Sequence, residues 1–205
     1  MIQRPPDFSS MTLCGKPLKA FLLATEKFHG NRTPGILIAG IMVDWALELL
    51  NLKENIIAIS ETKWALPDVI QLFTPCTLGN GGLVVLGWGK MGLSLFSQKN
   101  HAGYRIWLDL TKTRQFPSIY NWHMHLTPPI PTPEDQMLID ILTAGRSILS
   151  SRSIPITRFV NISHQSTMAV CSQCNEAYPE EQSELCLSCQ GNSYYEIAKN
   201  DAALQ

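Results

Sequence analysis

The alternation of apolar and polar positions divides the chain into a short series of elements. The most apolar stretch runs from Ile36 to Val43, inside the segment Pro34 to Leu50. It is apolar nearly all round, which predicts a helix buried on most sides. Asp44 and Glu48 are four apart and mark the face where that helix reaches water. Thr33 is placed to cap it and Pro34 to open it, because proline lacks the N–H that a first turn leaves orphaned. Upstream, Leu18, Phe21, Leu22 and Thr25 recur on one side and predict a helix from Pro17 to about Phe28, ended by Gly30. Residues 1–16 read as irregular. The apolar run inside Asn55 to Ser60 fits a buried strand, and Pro67 opens a short helix over 68–73. Three strands follow at Leu83 to Leu86, Leu93 to Ser97 and Tyr104 to Leu110. Their connections, Gly87 to Gly92 and Gln98 to Gly103, are short and Gly-bearing, as antiparallel hairpins require.

The order helix, helix, strand, helix, three strands predicts an α+β fold: a two-layer helix/sheet sandwich with an antiparallel or mixed sheet. Further on come a Trp/His-rich stretch from Lys112, a Pro-rich linker (Pro128, Pro129, Pro131, Pro133), a helix from about Pro133 to Ser147, and a strand over 154–162. Gly87-Trp-Gly-Lys-Met-Gly92 matches the dinucleotide fingerprint by spacing. That motif needs a helix next, and Leu93-Ser-Leu-Phe continues as a strand, so it reads as a Gly-rich hairpin.

Composition narrows the function classes. The chain has 205 residues and a net charge of -1, so length allows one or two domains. No global basic field points to nucleic acid or to acidic membranes. The N-terminus lacks the charged head and apolar run of a signal peptide. The run after Pro34 carries two carboxylates, whereas a membrane span needs ~20 mostly apolar residues. A soluble, cytoplasmic protein is expected, with a core domain over 1–165 and a small cysteine domain over 166–205.

That second domain carries the most specific signal. Cys171-Ser-Gln-Cys174 and Cys186-Leu-Ser-Cys189 are two C-x-x-C pairs with eleven residues between them. Two tight knuckles can close a four-thiolate zinc ribbon, and four protein ligands leave no position for substrate, so the site reads as structural. From Cys171 onward six carboxylates face a single Lys199, which disfavours phosphate and favours protein docking. In the core, His29 and Arg32 precede a helix N-terminus, a place suited to anions. His123 and His125 would share a side if extended. Cys76 is either a small buried hydrophobe or a reactive thiol, and Cys14 is either a small buried hydrophobe or an exposed thiol.

The stretch His29-Gly30-Asn31-Arg32-Thr33-Pro34-Gly35, the segment Asp68-Val-Ile-Gln71, the loop Cys76-Thr77-Leu78-Gly79, the later Gly89-Lys90 and the terminal cysteines together resemble the formylmethanofuran dehydrogenase E-subunit family. The family's loop is His-Gly-His-x-Cys-Pro-Gly; here Asn31 and Thr33 stand at its second His and its Cys, and neither is a good soft-metal ligand. The resemblance implies a homodimer from an archaeon or anaerobic bacterium, with a link to molybdenum or tungsten C1 redox metabolism. The candidate core pocket is then His29, Cys76, Asp68, Gln71, Thr77 and Lys90, with room for a second metal. Three readings follow. The first is a metal-binding accessory protein serving a redox enzyme through a cofactor or partner subunit. The second is a metal- or cysteine-dependent enzyme using the His29/Cys76 pocket. The third, a zinc-ribbon regulator of nucleic acid, is disfavoured by charge.

Overall fold

The computed structural model describes residues 7–51, 55–126, 134–156, 167–180 and 183–193. The chain divides into two compact units, Met1–Val160 and Asn161–Gln205. The expected Pro-rich linker lies outside the described residues.

In the first unit a small hairpin, β1 (Thr12–Leu13) and β2 (Lys16–Pro17), occupies the end of the stretch expected to be irregular. Its turn uses Cys14 and Gly15 at positive φ, and Asp44 accepts the Cys14 N–H at 2.9 Å, a tertiary contact no local pattern announces. Helix α1 (Leu18–His29) ends on Gly30 in the left-handed region, φ 93°. Helix α2 (Pro34–Leu50) is capped by Thr33, whose Oγ1 accepts the Ile36 N–H at 3.3 Å. Ten of its residues are buried, as its all-round apolar pattern requires. Strand β3 (Ile56–Ser60), helix α3 (Leu66–Phe73) and strand β4 (Leu83–Val85) form one crossover unit, with β3 and β4 parallel. Strands β5 (Gly92–Ser97) and β6 (Ala102–Leu108) form an antiparallel hairpin. Short helices α4 (Leu110–Thr113) and α5 (Pro117–His123) occupy the Trp/His-rich stretch, and α6 (Glu134–Ala144) runs into a 3-10 turn and strand β7 (Leu149–Pro155).

The sheet order is β4-β3-β5-β6-β7. One expected hairpin is therefore corrected. Gly87 to Gly92 does not join neighbours, because β3 inserts between β4 and β5 and pairs with both. The α3 crossover brings β4 back parallel to β3, a long-range pairing that loop length could not reveal. The last strand also begins earlier than expected, at Leu149, and the remainder of the 154–162 segment beyond Ile156 lies outside the described residues. The core lies between α2 and one sheet face, with Leu93, Leu95, Ile106 and Leu108 beneath Ile38, Met42 and Ala46. Gly40 lets the Phe21 ring seat on α2, since a Cβ there would fall 2.4 Å from Phe21 Cζ. Among the described residues no helix is long and apolar enough to cross a membrane.

In the second unit, β8 (Met168–Val170) and β9 (Ala177–Pro179) pair antiparallel around the first cysteine pair. The second pair leads into a wide helical turn, Ser188–Asn192. Among the described residues its buried set is small: Cys171, Tyr178 and Cys186.

Candidate functional sites: a cysteine centre and the ends of two parallel strands

Cys171, Cys174, Cys186 and Cys189 bring their sulfurs within 4.8 Å of one another. The Cys174 and Cys186 sulfurs are 3.7 Å apart, against about 3.8 Å for the edge of a tetrahedron with Zn–S bonds near 2.3 Å. Local backbone builds the first knuckle: Asn175, at φ 66°, donates its N–H to the Cys171 carbonyl, and Cys171 donates to Glu176. Backbone N–H groups of Cys186 and Cys174 hold the Cys171 thiol down to about 6, toward the thiolate that binds metal. Desolvation and then the neighbouring sulfurs push Cys189 up to about 12. Four thiolates this close need a cation between them, and zinc fits both the donor set and the spacing.

The core residues disperse around α3. His29 Nδ1 lies 2.6 Å from Asp68 Oδ2, joining the end of α1 to the first turn of α3. Gln71 is one turn further on, where its Oε1 accepts the Leu78 N–H at 3.2 Å. Thr77 exchanges hydrogen bonds with Asn80 and shapes the loop. Cys76 lies beyond the other end of α3, fully buried, with its sulfur donating to the Ile56 carbonyl at 3.3 Å. Burial pushes its thiol up, so it is a poor nucleophile at neutral pH. An eight-residue helix spans ~12 Å, and His29 and Cys76 stand at its opposite ends. Lys90 is elsewhere again, exposed on the loop before β5 with its Nζ 5.7 Å from the Trp88 ring centroid. Arg32 is taken by Glu26 at 2.9 Å rather than held toward an anion. His123 ends α5 and His125 follows in a turn at φ 50°, so the extended His-x-His arrangement is replaced by a helix end. Burial, then the charge of His125, lowers the His123 pKa. Among the described residues, only the four cysteines bring three or more candidate ligands together.

One region escaped the sequence reading. The loop after β3 is Glu61-Thr62-Lys63-Trp64-Ala65. Glu61 is buried and held by Arg105 through two bonds of 2.6 and 2.7 Å. Gly92 makes room for it, since a Cβ there would fall 2.7 Å from Glu61 Oε2. Ala65 adopts φ 54°, ψ −53°, and Leu66 donates its N–H to the Trp64 carbonyl across it, a strained γ-turn. That turn leaves Trp64 78 % exposed. A polar run ending in tryptophan after an apolar strand was the available signal, but charge and tryptophan are ordinary in loops.

Comparison with known proteins decides the family. The family described as FmdE, molybdenum formylmethanofuran dehydrogenase operon, matches residues 28–154. The chain belongs to the FmdE family. The FmdE treble clef zinc finger matches residues 163–196. The C-terminal module is therefore a four-cysteine zinc finger of treble clef type. This refines the expected pair of knuckles, because the second cysteine pair opens a helical turn. A crystal structure of a tungsten formylmethanofuran dehydrogenase FmdE-like protein from Syntrophus aciditrophicus is 37% identical, with a TM-score of 0.81 over 91% of this chain and 100% of that one. A probable S-adenosyl-L-methionine-binding protein from Archaeoglobus fulgidus is 32% identical over 107 residues, 48% of this chain. The match spans only 29% of that relative's length.

Proposed function

We propose that this FmdE-family chain is a cytoplasmic, homodimeric accessory protein that serves a molybdenum- or tungsten-dependent C1 redox enzyme, with one structural zinc held by Cys171, Cys174, Cys186 and Cys189. The separation of His29 and Cys76 to opposite ends of α3, with Cys76 buried against Ile56, carries the reading. It favours an accessory protein over an enzyme built on those two side chains. The acidic finger suits a protein partner better than nucleic acid. In this reading the domain boundary falls near residue 165, the core side chains orient a cofactor or partner, and the finger holds its fold by coordination.

Metal content per chain, measured by mass spectrometry on the wild type and on a Cys171→Ser/Cys174→Ser variant, tests it. About one zinc per chain, absent from the variant, is expected. A second metal that survives in the variant would place an ion in the core and overturn the reading in favour of an enzyme. Light scattering that returns the single-chain mass of 22.9 kDa would remove the homodimer.

A further inference from the structure

The loops that leave β3 and β4 share one end of the sheet, because the two strands are parallel neighbours. Backbone bonds tie them together: Leu86 donates to Ser60, and Lys90 donates to Glu61. The carboxyl ends of parallel strands are where open α/β sheets place their ligands. Here each loop presents one tryptophan and one lysine. Trp64 is 78 % exposed and Trp88 61 % exposed, and Lys63 and Lys90 are exposed beside them. Exposing two large rings on adjoining loops loses the burial that tryptophan normally gains, and such exposure marks binding surfaces.

The backbone maintains this display against its own preferences. The γ-turn at Ala65 is a conformation that a non-glycine residue holds only when its surroundings enforce it. The surroundings do so: Ala65 packs against the first turn of α2, where a Cβ on Gly35 would approach its Cβ to 3.1 Å. Gly87 and Gly89, at φ 65° and 72°, turn the second loop. A Cβ on Gly87 would fall 2.5 Å from Lys63 Cε, so that glycine lets the Lys63 stem cross the loop. The carboxylate of the first loop is already matched: Glu61 is bound by Arg105, so it does not offset the two lysines.

We propose that this surface binds a planar heteroaromatic ring carrying an anionic group, of which a purine mononucleotide is the representative. The indoles supply faces for stacking, and Lys63 and Lys90 attract the anion. The Gly87-Trp-Gly-Lys-Met-Gly92 segment then contributes through Trp88 and Lys90 rather than through a helix N-terminus, which the fold does not provide there. The proposal deepens the accessory reading by giving the core domain a ligand class.

Tryptophan fluorescence of the full chain, titrated with AMP, adenosine, inorganic phosphate and S-adenosylmethionine, separates the parts. AMP should quench saturably. Adenosine, lacking the anion, should bind about tenfold more weakly, and S-adenosylmethionine, which carries a cation, more weakly still. Phosphate alone should cause no quenching. By calorimetry, Trp64→Ala and Trp88→Ala should each weaken AMP by roughly tenfold, and Lys63→Ala with Lys90→Ala should flatten its salt dependence. All four side chains are exposed, so unchanged circular dichroism and zinc content are expected in these variants. No saturable AMP signal at ~5 mM overturns the proposal, as does undiminished affinity in both tryptophan variants, or phosphate binding as tightly as AMP. None of these outcomes alters the metal count, so failure here is distinguishable from failure of the accessory reading.

Discussion

In the first unit Cys14 and Cys76 are thiols; in the second, four cysteines form a metal centre. Desolvation pushes Cys14 up to about 12, with the Asp44 charge adding to it, and pushes Cys76 up as well. Both therefore stay protonated and pack as small hydrophobes. Among the described residues of the finger the buried set is Cys171, Tyr178 and Cys186, too small by itself to oppose the chain entropy of folding. Coordination takes the place of a core. The same residue type thus stabilises one unit by losing water and the other by losing protons to a cation. The difference lies in what surrounds the sulfur: helix and strand side chains in one, backbone N–H groups and other sulfurs in the other.

The largest expected effect comes from removing the zinc. A strong chelator, or Cys171→Ser/Cys174→Ser, should abolish amide protection across 167–193 while the first unit keeps its own cooperative transition, read by hydrogen exchange and calorimetry. Loss of protection in both units at once would show that the finger supports the core fold, and the comparison would break.

A core perturbation should do the reverse. Gly40→Ala places a methyl 2.4 Å from Phe21 Cζ, and that ring is stacked on Phe73 with centroids 4.9 Å apart. The ring cannot swing aside freely, so a loss of ~1–3 kcal/mol from the first unit is expected, with zinc content unchanged. Urea denaturation of the variant measures it, and a stability equal to wild type would show that α1 slides to accommodate the methyl.

The smallest effect concerns alkaline pH. The Cys14 thiol has its pKa raised from 9.0 to about 12 by folding, so the folded chain holds that proton more tightly than the unfolded chain. Its contribution to stability is fully present below pH 9 and is lost as pH rises toward 12. Cys14→Ala should flatten the decline of the first unit's melting temperature over that window. In metal-loaded protein at pH 8 neither Cys14 nor Cys76 should react with iodoacetamide within minutes, whereas unfolded protein should alkylate at both. Rapid labelling of Cys76 in the native state would restore it as a nucleophile candidate.

Local physics made much of the molecule legible. The α2 boundaries follow from Thr33 and Pro34 at one end and from an apolar pattern that admits no other buried element of that length. The cysteine spacing carried the zinc site, because two residues between thiolates is itself the geometry of a knuckle. The antiparallel pair β5 and β6 could be read from a short Gly-bearing connection. What tertiary structure alone decided is everything that joins distant segments. It inserted β3 between β4 and β5, since the parallel return through α3 depends on helix packing rather than loop length. It paired His29 with Asp68 and Glu61 with Arg105, partners 39 and 44 residues apart. It also sent Cys76 into the core and Trp64 out of it, because a sulfur beside a strand carbonyl is buried without strain, whereas the Ala65 turn holds its indole to solvent only with α2 packed behind it.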